Sequence, residues 1–155
     1  MATRTSRCNC GQLSLAYDGP DPARVSVCQC YECQRRTGTM YSVQTRLPKD
    51  QVTIEGRSTT GTFPSDSGKP VTYRSCDSGG ATYHFCPECG STVYWEISIA
   101  PDFVGVGVGG FTDPTFPPPV ISGFEAYGAP WAMNVSDLQM PHYDYDGTSH
   151  GGARA

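Results

Sequence analysis

Three tight clusters hold seven of the eight cysteines: Cys8-Asn9-Cys10, Cys28-Gln29-Cys30-Tyr31-Glu32-Cys33 and Cys86-Pro87-Glu88-Cys89-Gly90. Thiolates a few residues apart can converge on one ion, and tetrahedral sulfur coordination is what zinc favours. The seven divide naturally as four plus three. Four thiolates close a structural site, whereas three leave a coordination position open, as catalytic zinc sites do. The expectation is a protein of two zinc ions, one in a closed centre and one in an open one.

A disulfide framework fits the pattern poorly. A Cys-x-Cys pair makes a strained bridge, and seven clustered thiols leave an odd one over. Residues Met1 to Arg7 are polar, without the apolar stretch of a secretory signal. A cytoplasmic location follows as an expectation, and there clustered cysteines mean metal more often than disulfide. No apolar run approaches the ~18 residues of a membrane span, so no membrane association is expected. The net charge of −4 hides an asymmetry: ten of the eleven Lys and Arg residues lie between Arg4 and Arg74, and nine of the fifteen acids follow Arg74. With an isoelectric point near 5.2 and no Lys/Arg run, the chain makes a poor nucleic-acid binder. Its basic half can either receive a small anion or simply carry solubilising charge.

Alternating apolar residues predict short strands near Leu13–Tyr17, Arg24–Val27, Tyr41–Arg46, Gln51–Gly56, Val71–Arg74, Thr82–Phe85, Thr92–Ile97 and Phe103–Gly109. Turn residues separate them, as in Asp18-Gly19-Pro20 and Asp77-Ser78-Gly79-Gly80. The 18 Gly and 13 Pro among 155 residues, about a fifth against an average of about 12%, agree with many turns and few long helices. The fold class expected is mainly β, with a short helical turn after Cys33. Residues 1–143 read as one zinc-binding β domain and 144–155 as a flexible tail. In Phe103–Gly109, valines fill one face and glycines most of the other, which suits a strand packed closely on a neighbouring sheet.

Cys8 and Cys10 with Cys86 and Cys89 would pin the amino terminus to a hairpin far along the chain. Gly90 suits the left-handed turn such a knuckle needs. Cys28, Cys30 and Cys33 form the second set, with Arg35 and Arg36 directly behind them to offset sulfur charge or hold a carboxylate. The competing reading is a second closed site completed by Cys76 or His84.

The order Cys-x-Cys, then Cys-x-Cys-x-x-Cys before Arg35-Arg36-Thr37-Gly38, then Phe85-Cys86-Pro87-Glu88-Cys89-Gly90, resembles a known group. It is similar to the glutathione-dependent formaldehyde-activating enzyme family, also called the centromere-protein-V-like family. The resemblance runs over most of residues 8 to 143, extending weakly to Val104–Pro114, Pro130-Trp131, Leu138 and Pro141. It implies an Mss4-like fold of several short antiparallel sheets clasped by zinc. It also implies a structural zinc on Cys8, Cys10, Cys86 and Cys89, and a catalytic zinc on Cys28, Cys30 and Cys33. The namesake reaction joins glutathione to formaldehyde, giving S-hydroxymethylglutathione. Two positions depart from the pattern: Ser122 stands where many relatives carry His, and His84 precedes the aromatic of the Phe-Cys motif.

The leading expectation is thus a carbon–sulfur lyase or synthase acting on a small-molecule thiol, glutathione by default, and a small electrophile such as formaldehyde. Arg35 and Arg36 are its candidate substrate contacts. The alternative is a non-catalytic zinc module that binds a partner protein.

Overall fold

The computed structural model describes residues 3–64, 80–98, 100–132, 142–143 and 149–150. Its strands are β1 (Arg4–Arg7), β2 (Ser14–Tyr17), β3 (Val25–Cys28), β4 (Ser42–Pro48), β5 (Val52–Glu55), β6 (Thr59–Pro64), β7 (Gly80–Phe85), β8 (Thr92–Ile97), β9 (Phe103–Gly107), β10 (Ile121–Gly123), β11 (His142–Tyr143) and β12 (Ser149–His150). One α-helix, α1 (Tyr31–Thr37), lies between β3 and β4. The fold is mainly β, and no described helix is long and apolar enough to cross a membrane.

Strands β1, β2 and β5 form a small antiparallel sheet, and β11 pairs with β12. A seven-stranded sheet, in the order β10-β3-β4-β9-β8-β7-β6, carries the rest. It is mixed rather than wholly antiparallel, because β10 runs parallel to β3. Parallel neighbours cannot be joined by a hairpin. Here the chain leaves β9, crosses the extended Pro117-Pro118-Pro119 stretch, and docks when the Val120 N–H bonds the Val25 carbonyl at 2.9 Å.

Period-two alternation sets what each face of this sheet does. Val25, Leu47, Val104 and Val106 point to one side and pack with Leu13, Leu15, Tyr17, Tyr94, Phe111 and Phe116 into the core. The other side of the same strands carries Cys28, Gln44, Gly105, Gly107 and Trp95, and the cavity described below lies over it.

The expected strands appear as β2, β3, β4, β5, β7, β8 and β9, while Val71–Arg74 lies outside the described residues. Strand β9 stops at Gly107, and a tight 3₁₀ turn over Val108–Phe111 follows, ending at Thr112 with φ 49°. Strands β1, β6 and β10 lack the alternation that marks a strand and exist through pairing with their neighbours. The helix begins before Cys33 rather than after it. Its N-cap is Cys30, whose sulfur accepts the Cys33 N–H, and it ends in a left-handed Gly38 at φ 69°. A thiol is not among the usual capping groups, so the start was hidden in the sequence.

Candidate metal centres and active site

Two turns build the first centre. Gly11 (φ 80°) and Gly90 (φ 74°) take left-handed conformations that fold Cys8–Cys10 and Cys86–Cys89 back on themselves. Each turn closes on its own backbone, Gly11 N–H to Cys8 O at 3.0 Å and Gly90 N–H to Cys86 O at 2.9 Å. Hydrogen bonds also join the turns to each other: the Gln12 amide donates to Cys86 Sγ at 3.2 Å, and the Asn9 N–H to Ser91 Oγ at 3.2 Å. The Leu13 N–H donates to Cys8 Sγ at 3.2 Å.

Sulfur spacing tests the metal directly. Four thiolates ~2.3 Å from a tetrahedral zinc stand ~3.8 Å apart. Cys10 Sγ lies 3.6 Å from both Cys8 Sγ and Cys86 Sγ, and all four sulfurs lie within 4.8 Å of one another. The groups around Cys86 and Cys89 favour thiolates, as metal binding requires. The Ser91 hydroxyl and N–H hold Cys89 at about 5. Burial pushes Cys86 up, yet the N–H groups of Cys89 and Glu88 and the Gln12 amide leave it below the ordinary thiol value. For Cys10 the Gln12 N–H pulls down, but the crowding sulfurs, Cys8 first, and burial push it up to about 12. A cation relieves that crowding, so the residues fit a tetrathiolate metal.

Cys28 ends β3, Cys30 caps α1 and Cys33 lies on the helix's first turn, so their convergence is local. All three are buried, at 4%, 4% and 5% exposure. Cys28 Sγ and Cys30 Sγ are 3.5 Å apart, and the three sulfurs lie within 4.8 Å of one another. The neighbouring sulfurs, with burial behind them, push the Cys33 thiol well above its ordinary value. Three such thiols cannot ionise side by side without a cation, which is the fit expected of a metal site.

Among the described residues no fourth His, Cys, Asp or Glu joins this set. His84 is engaged elsewhere: it stacks on Tyr94 at 4.1 Å, meets Ser58 Oγ at 3.2 Å through Nδ1 and Glu96 at 3.4 Å through Nε2. Cys76 lies outside the described residues.

Cys28 and Cys33 open on a cavity of about 170 Å³. Tyr83 and Trp95 form one wall, and Ile121 and Phe124 help form the other. Gln44 stands between, its Oε1 4.0 Å from Cys33 Sγ and 3.4 Å from Ser42 Oγ. Strand β9 presents glycines on the same face of the sheet, opposite Gln44 and Arg46. A Cβ at Gly105 would collide with the Trp95 indole, while one at Gly107 would meet nothing within 4 Å. The close packing expected there is met by a side chain from β8, not by another sheet.

Arg36 lies behind the aromatic wall. Its guanidinium sits 4.6 Å from the Trp95 ring and 5.0 Å from Tyr83, and donates to Ser42 Oγ at 3.3 Å. Arg35 lies 6.0 Å over the Tyr31 ring, and neither arginine lines the cavity. Ser122 accepts from the Gln29 amide at 3.3 Å and is likewise absent from the lining. Sequence reasoning missed Gln44, Tyr83, Trp95, Arg24 and Arg46, all of which line the cavity. The signal for one of them was available: if Cys28 faces the cavity, alternation places Ser26 and then Arg24 on the same face.

A family model described as glutathione-dependent formaldehyde-activating enzyme matches residues 3–127, a span that takes in both sulfur clusters and the cavity walls. The chain belongs to that family. Membership in the formaldehyde-activating family places the protein among enzymes of glutathione and formaldehyde chemistry. The match ends short of Trp131, Leu138 and Pro141; Trp131 is exposed, and the last two lie outside the described residues. Among solved structures, the chain is similar to a Rhodobacter sphaeroides protein determined as a Northeast Structural Genomics target. The TM-score is 0.54 at 18% identity, covering 76% of this chain and 98% of that one, and the likeness is one of fold. No curated protein matches the chain.

Proposed function

We propose that this protein is a cytoplasmic, zinc-dependent carbon–sulfur lyase or synthase that joins the thiol of glutathione to formaldehyde. A carbon–sulfur bond forms as the carbonyl π bond opens, and the thiol proton ends on the new hydroxyl of S-hydroxymethylglutathione. The observation that carries this reading is the contrast between the clusters. Four sulfurs close on one another, whereas two of the buried three, Cys28 and Cys33, face a cavity.

Zinc on Cys28, Cys30 and Cys33 would supply the Lewis acidity that lets a substrate thiol ionise near neutral pH. The chain's own groups do the positioning. Gln44 presents its amide beside Cys33, at the point where a substrate thiol and carbonyl would meet. Tyr83 and Trp95 keep bulk water from that end. Arg36, stacked behind them, offsets the negative charge of the sulfurs and holds the wall in place. The closed set, Cys8, Cys10, Cys86 and Cys89, holds the structural zinc.

Exchange NMR on glutathione and formaldehyde, with and without zinc-loaded protein, tests the reading. The adduct also forms unaided, so the expected result is exchange faster than buffer that disappears in Cys30→Ser. No acceleration by protein carrying two zinc ions would reject this substrate pair. It would favour the alternative of a non-catalytic protein-binding module. That module has a surface to offer in Val120 (65% exposed), Ile121, Phe124 and Trp131 (51%).

A further inference from the structure

Two cations stand at the end of the cavity remote from the sulfurs, and the chemistry above leaves them unused. The β3–β4 pairing ends at Val25 with Thr45, and Arg24 and Arg46 are the next residues on the two chains, where continued antiparallel register brings them opposite each other. Both side chains line the cavity and both are exposed. Like charges directly opposite each other on a sheet are destabilising. Elsewhere Arg4 is held by Asp21 and Asp113, Lys49 by Glu96 and Arg57 by Glu88. Among the described residues no carboxylate pairs with Arg24 or Arg46. A pair of guanidinium groups opposed in this way over a cavity is an anion receptor, since the fork geometry of arginine matches a carboxylate.

The strand also acts as a ruler. Cys28, Ser26 and Arg24 alternate onto one face of β3, and four residues at ~3.3 Å each put the arginine pair ~13 Å from the sulfur end. Ser26 and Gln44 lie between, and the space over Gly107 is open. A carboxylate two carbons from a thiol, as in cysteine, cannot span that distance without an arginine side chain leaning most of the way back. A tripeptide, extending ~3.3–3.6 Å per residue, can.

We propose that Arg24 and Arg46 form a carboxylate clamp that positions the thiol substrate and selects an acidic thiol of peptide length. The proposal rests on the reading that the substrate sulfur sits at Cys28, Cys30 and Cys33, but its readout needs no turnover. The probe is S-methylglutathione, which has both carboxylates and no ionisable thiol, titrated calorimetrically into the zinc-loaded protein.

Arg24→Gln and Arg46→Gln should each weaken binding about tenfold or more, the loss expected when a charge-assisted contact is removed. Arg46→Lys, which keeps the charge and loses the fork, should recover part of that loss. On wild-type protein the dimethyl ester of the probe should bind as weakly as the free acid binds the glutamine variants. S-methylcysteine should show no dependence on either arginine. The glutamine variants should melt no lower than wild type, because each removes a like-charge opposition.

Equal binding of acid and ester by wild type, equal binding of the acid by wild type and both variants, or no binding at all would overturn the clamp. Arginine-dependent binding without turnover would discard the formaldehyde reaction and keep the clamp. Turnover that ignores both arginines would do the reverse.

Discussion

Removing the two sulfurs of the Cys86–Cys89 turn should destabilise this protein far more than removing one from the Cys28 cluster, for a reason of topology. Cys10 and Cys86 meet across 76 residues of chain, whereas Cys28 and Cys30 are two residues apart. A cross-link over a 76-residue loop restricts the unfolded chain by about 4.5 kcal/mol on the loop-entropy relation, and metal clips follow the same logic. The short cluster restricts almost nothing. It can also bind its ion in the unfolded chain, which cancels much of the linkage. At about 2–4 °C per kcal/mol for a domain of this size, the double variant Cys86→Ser/Cys89→Ser should melt about 9–18 °C lower than the zinc-loaded parent. Cys30→Ser should shift the melt by no more than about 2–4 °C, because serine is itself among the best N-caps and keeps the Cys33 N–H bonded. Thermal melts at several scan rates, with zinc counted before each, make the comparison. Equal losses in the two variants would refute the division into a tertiary clasp and a local site. So would a double variant that melts like the parent.

Two further perturbations separate packing from electrostatics. Gly105→Ala drives a methyl into the Trp95 indole and should cost about 1–3 kcal/mol in urea unfolding, with a changed tryptophan emission. Gly107→Ala, over open space, should keep the parent's stability; a stability loss as large as that of Gly105→Ala would contradict this difference between the two glycines. The Thr115 hydroxyl and N–H bond Asp113 at 2.7 and 2.8 Å and, with Arg4 beside them, hold its carboxyl below the ordinary value. A depressed folded value stabilises above the unfolded value of about 3.9 and is lost as pH falls through the folded one. Asp113→Asn should therefore lower the melting midpoint at neutral pH and lose that effect once the pH has fallen through the depressed folded value, and an equal shift at neutral and strongly acid pH would refute the linkage.

How much could be read beforehand depended on how local each signal was. The strand Thr92–Ile97 matched its expected bounds, because β-branched and aromatic residues fill it between the Gly90 turn and Pro101. The sulfur sets were legible for a similar reason: a chelating turn needs only spacing and a glycine at positive φ, as at Gly11 and Gly90. Arg4–Arg7 carries no such mark. It becomes β1 only because Ser14–Tyr17 offers a paired edge. The arginines placed beside the sulfurs by sequence adjacency went elsewhere, Arg36 under an aromatic wall supplied by β7 and β8 and Arg35 over Tyr31. Helical geometry turned them away from the cavity that Cys28 and Cys33 face.

By itself the sequence determined the donor sets, the mainly β character and the family, since each rests on residues close together or on a repeat of two. Tertiary structure alone decided what faces what. Arg24 at the entry to β3, Gln44 on β4, Gly107 on β9 and Trp95 on β8 meet only through the register of β3 with β4, β4 with β9 and β9 with β8. A slip of one residue in any of these pairings would turn that strand's side chains to the opposite face. Register is held by burying Val25, Leu47, Val104 and Val106 on the far side of the same strands, so the packing of the core is what assembles the cavity.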